Sequence, residues 1–518
     1  MPERVRLTVD GRGIPADADA TVAAALGNAG VDAWRTSVSG EKRGALCAMG
    51  ICFECRVTVD GEAHRRACLE RVRDGMAVAT GGSPPPPSRV AHSPSSILAE
   101  RVQAEVAVVG AGPAGIAAAC RAAESGAPTI VLDDGLAAGG QIHRHRPGTE
   151  PPPAARAWHA RLARSGARVL SGVSVVDAAP DGDGFFLSAE RGDRALAVRA
   201  RRVVIATGAR ELFLPFPGWT LPGVMGAGGA QALWKSGASL AGRTVVVGGS
   251  GPLLLPAASS LAKAGARVAL VAEQAGYGAV ASFAAGLVRT PAKILEALRY
   301  GLAGASYRAG SWIAEARGDG ALASVVVTDG RARREIRCDL AAVGWGLVGN
   351  LELARLLGCR LDAGGVAVDS GQETSVAGVF AAGEPCGVAG LEAAVAEGQI
   401  AGLAAAGRAD EARSAPLAAA RAKARRFGVR LERAFALREE LRALAAPDTI
   451  VCRCEDIRLD AVAGSAGPRE AKLVSRAGMG ACQGRVCGPA LRFLFGWESD
   501  TVRPPVGPAR LGHLAATE

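Results

Sequence analysis

Aromatic residues are scarce in this 518-residue sequence, where Phe, Trp and Tyr together make up 4%. That shortage speaks against a β-sandwich, while an apolar content of 49% spread along the chain excludes intrinsic disorder. With 69 Gly among the residues, the composition fits an Ala/Gly/Arg-rich α/β protein with many tight turns, long enough for three or four domains. Histidine is equally thin. His64, His92, His143, His145, His159 and His513 form no nucleophile or metal motif, so no general base can be singled out.

Three further absences narrow the class. The first residues, MPERVRLTVDGR, contain no apolar stretch of the secretory type, so a cytoplasmic location is expected. The net charge of +10 is not gathered into a basic stripe, since Arg is scattered among Asp and Glu, and no nucleic-acid partner is expected. Thr244 to Ala262 runs without a charge, but Gly248, Gly249, Gly251, Pro252 and Pro256 interrupt it. A strand, turn and helix are therefore expected there, and no membrane span. The chain shows no fixed-period repeat.

Cysteine is not scarce. Twelve thiols in a reducing compartment point to metal or redox chemistry rather than to a disulfide framework, and eight of them fall into two groups. The first, Cys47-x4-Cys52-x2-Cys55-x12-Cys68, has the plant-type [2Fe–2S] spacing of three close ligands and one remote one. Gly44, Ala45, Ala48 and Gly50 let the backbone wrap tightly so that its N–H groups reach sulfur. A zinc site more often shows two short pairs. The second group, Cys452-x-Cys454 with Cys482-x4-Cys487, offers four thiolates in a small unit that wants a metal staple, either a [2Fe–2S] cluster or structural zinc. Cys120, Cys338, Cys359 and Cys386 sit in apolar surroundings and read as small core residues.

Between the two groups, Val106 to Gly115 is a strand running into Gly110-x-Gly112-Pro113-Ala114-Gly115 and an Ala-rich helix, the dinucleotide fingerprint in its required context. Gly110 permits the turn, Gly112 the approach of a diphosphate and Gly115 close helix packing. The strand Thr129 to Leu132 ends at Asp133 and Asp134, at the distance expected of a ribose-binding carboxylate, with Asp133 assigned and Asp134 as its substitute. Thr244 to Gly251 repeats the design and Glu273 ends the next strand. There Leu254 replaces the third glycine and the turn is one residue longer, so this second site is expected to hold NAD(P)H, an adenylate such as ATP, or nothing. No Cys-x-x-Cys lies beside these motifs, which argues against disulfide reduction.

Gly139-Gly140-Gln141, Ala206-Thr207-Gly208 and Thr374 to Glu384, with its Gly383-Glu384 pair, resemble the flavin motifs of the two-dinucleotide-binding flavoprotein superfamily. That resemblance implies FAD and makes Glu384 a flavin contact, with the helix from about Leu391 aiming its positive end at the pyrimidine ring. Together with Val343-Gly344-Trp345-Gly346-Leu347, Gly383-Glu384-Pro385, Cys452-Arg453-Cys454-Glu455 and Gly478-Met479-Gly480, residues 102 to about 495 resemble the flavoprotein subunit of opine oxidase, hydrogen cyanide synthase (B subunit) and D-hydroxyproline or proline dehydrogenase complexes. The first 80 residues resemble the separate small [2Fe–2S] subunit of those complexes. The second cysteine group resembles bacterioferritin-associated ferredoxin, although that family closes with Cys-x2-Cys. The resemblance implies a hetero-oligomer in which an amino-acid-oxidase-like FAD subunit oxidises the substrate and this chain relays electrons to an acceptor. A self-sufficient NAD(P)H-dependent reductase and a non-catalytic iron–sulfur carrier are the alternatives.

The expected fold class is α/β: a two-dinucleotide-binding, Rossmann-like flavoprotein core with an N-terminal ferredoxin-like β-grasp domain and a small C-terminal Cys-rich helical domain. The expected order is a [2Fe–2S] domain at 1–80, a Pro-rich linker at 81–101 and the first part of the FAD domain at 102–240. A second dinucleotide domain at 241–345 and the rest of the FAD domain at 346–408 follow. A helical connector at 409–446, the four-cysteine domain at 447–495 and a loose tail at 496–518 complete the chain.

Overall fold

The computed structural model describes residues 3–81, 99–289, 293–295, 300, 305–498 and 501–517. Most of the Pro-rich linker lies outside these residues. The chain forms two compact units, each assembled from separated stretches: Met1–Ser88, Glu211–Gly346 and Arg430–Ser499 in one, and Arg89–Arg210, Leu347–Val429 and Asp500–Glu518 in the other.

In the second of these units, strands Arg168–Ser171, Thr129–Asp133, Glu100–Val109 and Arg194–Ile205 lie side by side in that order, all parallel. Val379–Ala381 adds parallel to Arg194–Ile205, while Gly184–Arg191 and Val173–Asp181 continue the sheet antiparallel. The apolar runs of the parallel strands are buried on both faces, as helix-covered parallel strands must be. Helix Pro113–Glu124 packs along helix Leu391–Ala405. Their closeness rests on missing side chains: a Cβ on Gly398 or Gly402 would stand 2.2 Å from the carbonyl oxygen of Ala114 or Ala118.

The last residues do not trail loosely. Helix Leu511–Thr517 is held by His513, buried with Nδ1 3.0 Å from Glu190 Oε1, and by Thr517 against Ser188 at 2.8 Å. Nothing in the local sequence announces these partners, which lie more than 300 residues earlier.

The other unit contains three substructures. A five-stranded sheet, with Arg4–Val9 among its strands and helix Val22–Asn28 beside it, carries the first cysteine group. Five parallel strands, Val224–Gly226, Leu340–Gly344, Thr244–Gly249, Arg267–Glu273 and Ser306–Ala309, form the second Rossmann-like sheet. Strands Ile450–Cys452 and Ile457–Arg458 with helices Asp460–Ala463, Pro468–Ser475 and Cys487–Phe495 carry the second cysteine group. The uncharged run from Thr244 is strand Thr244–Gly249 followed by helix Leu254–Lys263. Among the described residues no helix is long and apolar enough to cross a membrane.

Candidate functional site

The first glycine loop forms a cradle. Gly110 has φ +106° and a Cβ there would lie 2.3 Å from the carbonyl oxygen of Ala206, while a Cβ on Gly115 would lie 1.8 Å from that of Gly110. Both positions are closed to any side chain by the protein itself. Gly112 differs: it has ordinary backbone angles at the N-terminus of helix Pro113–Glu124, and a Cβ would meet only Gly140 Cα at 3.9 Å. The space beside Gly112 holds only that one atom, and it lies at the helix N-terminus, where first-turn N–H groups lack the usual intrahelical acceptors, as a bound diphosphate requires. Gly140 closes one side of it, in a turn where the Gly139 N–H donates to the Ala111 carbonyl at 2.7 Å. Gln141 follows in the same turn and is exposed.

Asp133 is buried and already engaged: Oδ1 accepts from the Ala111 N–H at 2.7 Å and Oδ2 from Gly135 at 3.2 Å. Burial, with nearby Asp134, lifts its pKa to about 6 against the pull of these N–H groups. Asp134 is exposed. Thr207 is tied to Asn350, donating Oγ1 to its carbonyl at 2.7 Å and accepting its Nδ2 at 2.8 Å, beside Ala206 and Gly208. His143 is buried, and His145 stands 3.0 Å from its carbonyl and edge-on to His159, so both are built into the local packing.

The Gly383–Glu384 turn is fixed by residues that sequence reasoning missed. Glu397, fully buried within the Ala-rich helix, accepts from the Gly383 N–H at 2.9 Å and pairs with Arg425 Nε at 2.5 Å. Arg425 also caps the carbonyls of Cys386 and Gly387. A Glu-Gly step in the middle of an Ala-rich helix is the available signal. Glu384 Oε1 accepts from Gly390 at 3.0 Å, while its buried Oε2 has no hydrogen-bond partner among the described residues. Burial pushes the Glu384 pKa up. An orphaned acceptor at this place suits a ribityl hydroxyl, and with the open face of Gly112 it makes the residues present fit a flavin dinucleotide.

The second glycine loop is engaged by its own chain. Ser250 Oγ donates to the Phe435 carbonyl at 2.8 Å, Gln274 Nε2 donates to the Ala436 carbonyl at 3.1 Å, and a Cβ on Gly251 would meet the Phe435 ring at 3.9 Å. Glu273 is buried, accepting from Gly251 and Ala275 at 2.8 Å each, and burial raises its pKa to about 7. The neutral form is thus favoured on folding, and as pH rises from the ordinary Glu range towards 7 the folded state loses about 3 kcal/mol relative to the unfolded chain. Glu273→Gln removes this titration. The stability gap between wild type and variant, read from denaturant titrations, should shift by about that amount in the variant's favour between about pH 4 and about pH 8.

Both cysteine groups are buried. In the first, Cys47 Sγ accepts N–H groups from Met49 and Cys52 at 3.4 Å and Cys55 lies 3.2 Å from Cys68, with Ala48, Gly50 and Phe53 at positive φ. Burial alone would raise the Cys47 thiol; hydrogen bonds from Cys52 and from backbone N–H groups overcome it and bring the pKa to about 6. In the second, free thiols pair by hydrogen bonds, Cys452 with Cys487 and Cys454 with Cys482, which holds Cys452 and Cys482 below, and their partners above, the usual thiol value. Gly480 has no room for a side chain, since a Cβ would lie 2.1 Å from that of Cys454. Among the described residues no three metal-ligating side chains converge at the spacing of a single ion, and the thiols lie in pairs. In the first group the buried sulfurs, with N–H groups directed at Cys47, suit the [2Fe–2S] ligation that its spacing implies. Cys120, Cys338 and Cys359 are buried away from both groups and Cys386 nearly so, each with a thiol pKa raised by burial.

Two Rossmann-like sheets, one with an open flavin cradle, joined in one chain to a buried plant-type cysteine loop define an FAD- and [2Fe–2S]-dependent oxidoreductase. Residues 104–399 match the model of the pyridine nucleotide-disulphide oxidoreductases, and residues 2–82 that of the 2Fe-2S iron-sulfur cluster binding domain. The A-subunit of opine oxidase from Rhizobium meliloti (strain 1021) is 34% identical over 470 residues, covering 79% of this chain and 97% of its own. The HcnB subunit of hydrogen cyanide synthase from Pseudomonas aeruginosa is 32% identical over 445 residues, covering 79% and 94%. The chain belongs to the pyridine nucleotide-disulphide oxidoreductase family and, within it, is an FAD and iron–sulfur oxidoreductase subunit of the opine oxidase and hydrogen cyanide synthase type. The crystal structure of L-proline dehydrogenase from P. horikoshii shares the fold, with a TM-score of 0.70 and 20% identity over 99% of this chain and 98% of that one.

Proposed function

We propose that this chain relays electrons from an amino acid, imino acid or opine, oxidised on an amino-acid-oxidase-like partner subunit, to a further acceptor. The FAD contacts are Gly110, Gly112, Pro113, Ala114, Gly115, Asp133, Gly140, Gln141, Ala206, Thr207, Gly208, Gly383 and Glu384. Cys47, Cys52, Cys55 and Cys68 ligate one [2Fe–2S] cluster, and Cys452, Cys454, Cys482 and Cys487 ligate a second. Bound flavin supplies acceptance of an electron pair and its release one electron at a time. The chain's own residues hold it: helix N–H groups meet the diphosphate, Glu384 orients the ribityl chain, and the Glu397–Arg425 pair fixes that turn.

The observation that favours a relay over an NAD(P)H-dependent reductase is the second glycine loop, whose Ser250, Gly251 and Gln274 are engaged by Phe435 and Ala436. On this reading the loop is a structural seat, with neither NAD(P) nor ATP as a working ligand. The relatives carry subunit names, which supports a hetero-oligomer. A cytoplasmic setting suits twelve cysteines that are all free thiols.

The isolated chain should therefore reduce its flavin with amino acid or opine at least ~100-fold more slowly than when an oxidase-like partner is present, about 2.7 kcal/mol of barrier, and NADH should reduce it slowly with or without that partner. Stopped-flow flavin absorbance measures this. In the complex, the Cys52→Ser/Cys55→Ser variant should lose transfer to a terminal dye more than it loses flavin reduction. Rapid reduction of the isolated chain by NADH or a small amine would overturn the relay.

A further inference from the structure

Two residues that offer no sulfur sit inside the two cysteine motifs: Glu54 beside Cys55, and Arg453 between Cys452 and Cys454. They are bonded to each other. Arg453 donates from Nε and Nη2 to Glu54 Oε2 at 3.2 and 3.1 Å, and Arg35 donates from Nη2 to Glu54 Oε1 at 2.7 Å and to the Arg453 carbonyl at 3.0 Å. Both side chains of the pair are 1% exposed. Around them Arg453 also reaches the Trp219 carbonyl at 2.7 Å and lies over its ring, and Arg43 pairs with Asp456 at 2.8 Å.

A buried ion pair gains little over well-packed apolar residues, because both charges must leave water. Apolar packing would have joined these surfaces as well, so the charges call for another role. Their placement supplies one. From Cys55 one residue leads to Glu54, one hydrogen-bonded contact to Arg453, and one peptide step to Cys452 or to Cys454. The Arg35 bridge runs in parallel, from Glu54 to the carbonyl that precedes Cys454.

We propose that the Glu54–Arg453 pair is the coupling element between the two cysteine groups, holding them at one fixed separation and supplying the hydrogen-bonded path along which single electrons pass from one to the other. This rests on the second group holding a redox-active cluster. The transfer oxidises one group by one electron and reduces the other by one, with no bond made or broken and no proton moved. Both residues are positioning residues.

Because one charge of each sign stands beside both groups, the two substitutions should act with opposite sign on two centres at once. In EPR-monitored redox titrations of the full-length protein, Glu54→Gln should raise both midpoint potentials, since loss of a negative charge favours the reduced state, and Arg453→Met should lower both. The double variant Glu54→Gln/Arg453→Met restores neutrality and keeps the test alive if either single variant fails to fold. It should keep its iron and nearly wild-type potentials, while electron equilibration between the clusters after photoreduction slows by an order of magnitude. Iron and zinc analysis separates the two levels of the argument. Zinc in the second group overturns the cluster reading and the coupling together. Iron in both groups, with potentials that move at one centre only or not at all, overturns the coupling alone, as does unchanged equilibration in the double variant.

Discussion

Gly112→Val should yield a folded protein that keeps its iron and retains less than about a tenth of the wild-type flavin, a loss of at least about 1.4 kcal/mol in binding. The backbone at Gly112, with φ −73° and ψ −177°, is extended geometry that valine adopts readily, and the nearest atom to a new Cβ is Gly140 Cα at 3.9 Å. The protein therefore tolerates the side chain. The ligand does not, because the branched carbons fill the space in front of the helix N-terminus where the diphosphate lies. Flavin released on denaturation, set against iron per chain, measures the outcome. Normal flavin content would sink the assignment of this loop.

Gly398→Val should fail for the opposite reason. Here the new Cβ would stand 2.2 Å from the Ala114 carbonyl oxygen and 2.9 Å from its carbon, so helices Pro113–Glu124 and Leu391–Ala405 must part. Overpacking of this kind costs about 3 kcal/mol, which lowers the melting temperature by roughly 6–12 °C for a unit of this size. Flavin is lost as well, since Ala114 belongs to the first turn of the displaced helix. Thermal melting of the two variants separates a filled ligand site from a broken helix contact. A Gly398→Val protein that melts like wild type would show that the helices yield without strain.

Of these two glycines, only Gly112 could be read from the chain beforehand. Glycine spacing after an apolar strand and cysteine spacing in a small-residue loop are local patterns, and they led to the flavin core and the first cysteine group. The strand–turn–helix from Thr244 followed from an equally local signal, while the helix from about Leu391 followed from the flavoprotein resemblance. What stayed hidden depends on contacts between distant segments. Glu397 and Arg425 look like ordinary helical charges until Gly383 is placed beside them. Ser250 and Gln274 gave no hint that Phe435 and Ala436, over 160 residues on, would meet them. Asp133 was legible as the carboxylate at a strand end, but its hold on the Ala111 N–H was not, because that bond depends on how tightly the loop folds back. Glu54 and Arg453 were passed over for the cysteines around them, 399 positions apart in the chain.

That separation sets an order of events during synthesis. Ribosomes add about 5–20 residues per second, so a chain that has completed the Cys47–Cys68 loop waits roughly 20–80 s before Arg453 emerges. Throughout that interval Arg35, Arg43 and Glu54 are hydrated, and the loop around Cys52 and Cys55 is uncovered on the side that Arg453 and Asp456 later seal. That face of the first cysteine group therefore stays open until the segment carrying Arg453 and Asp456 has been made, and completion of the C-terminal domain closes it.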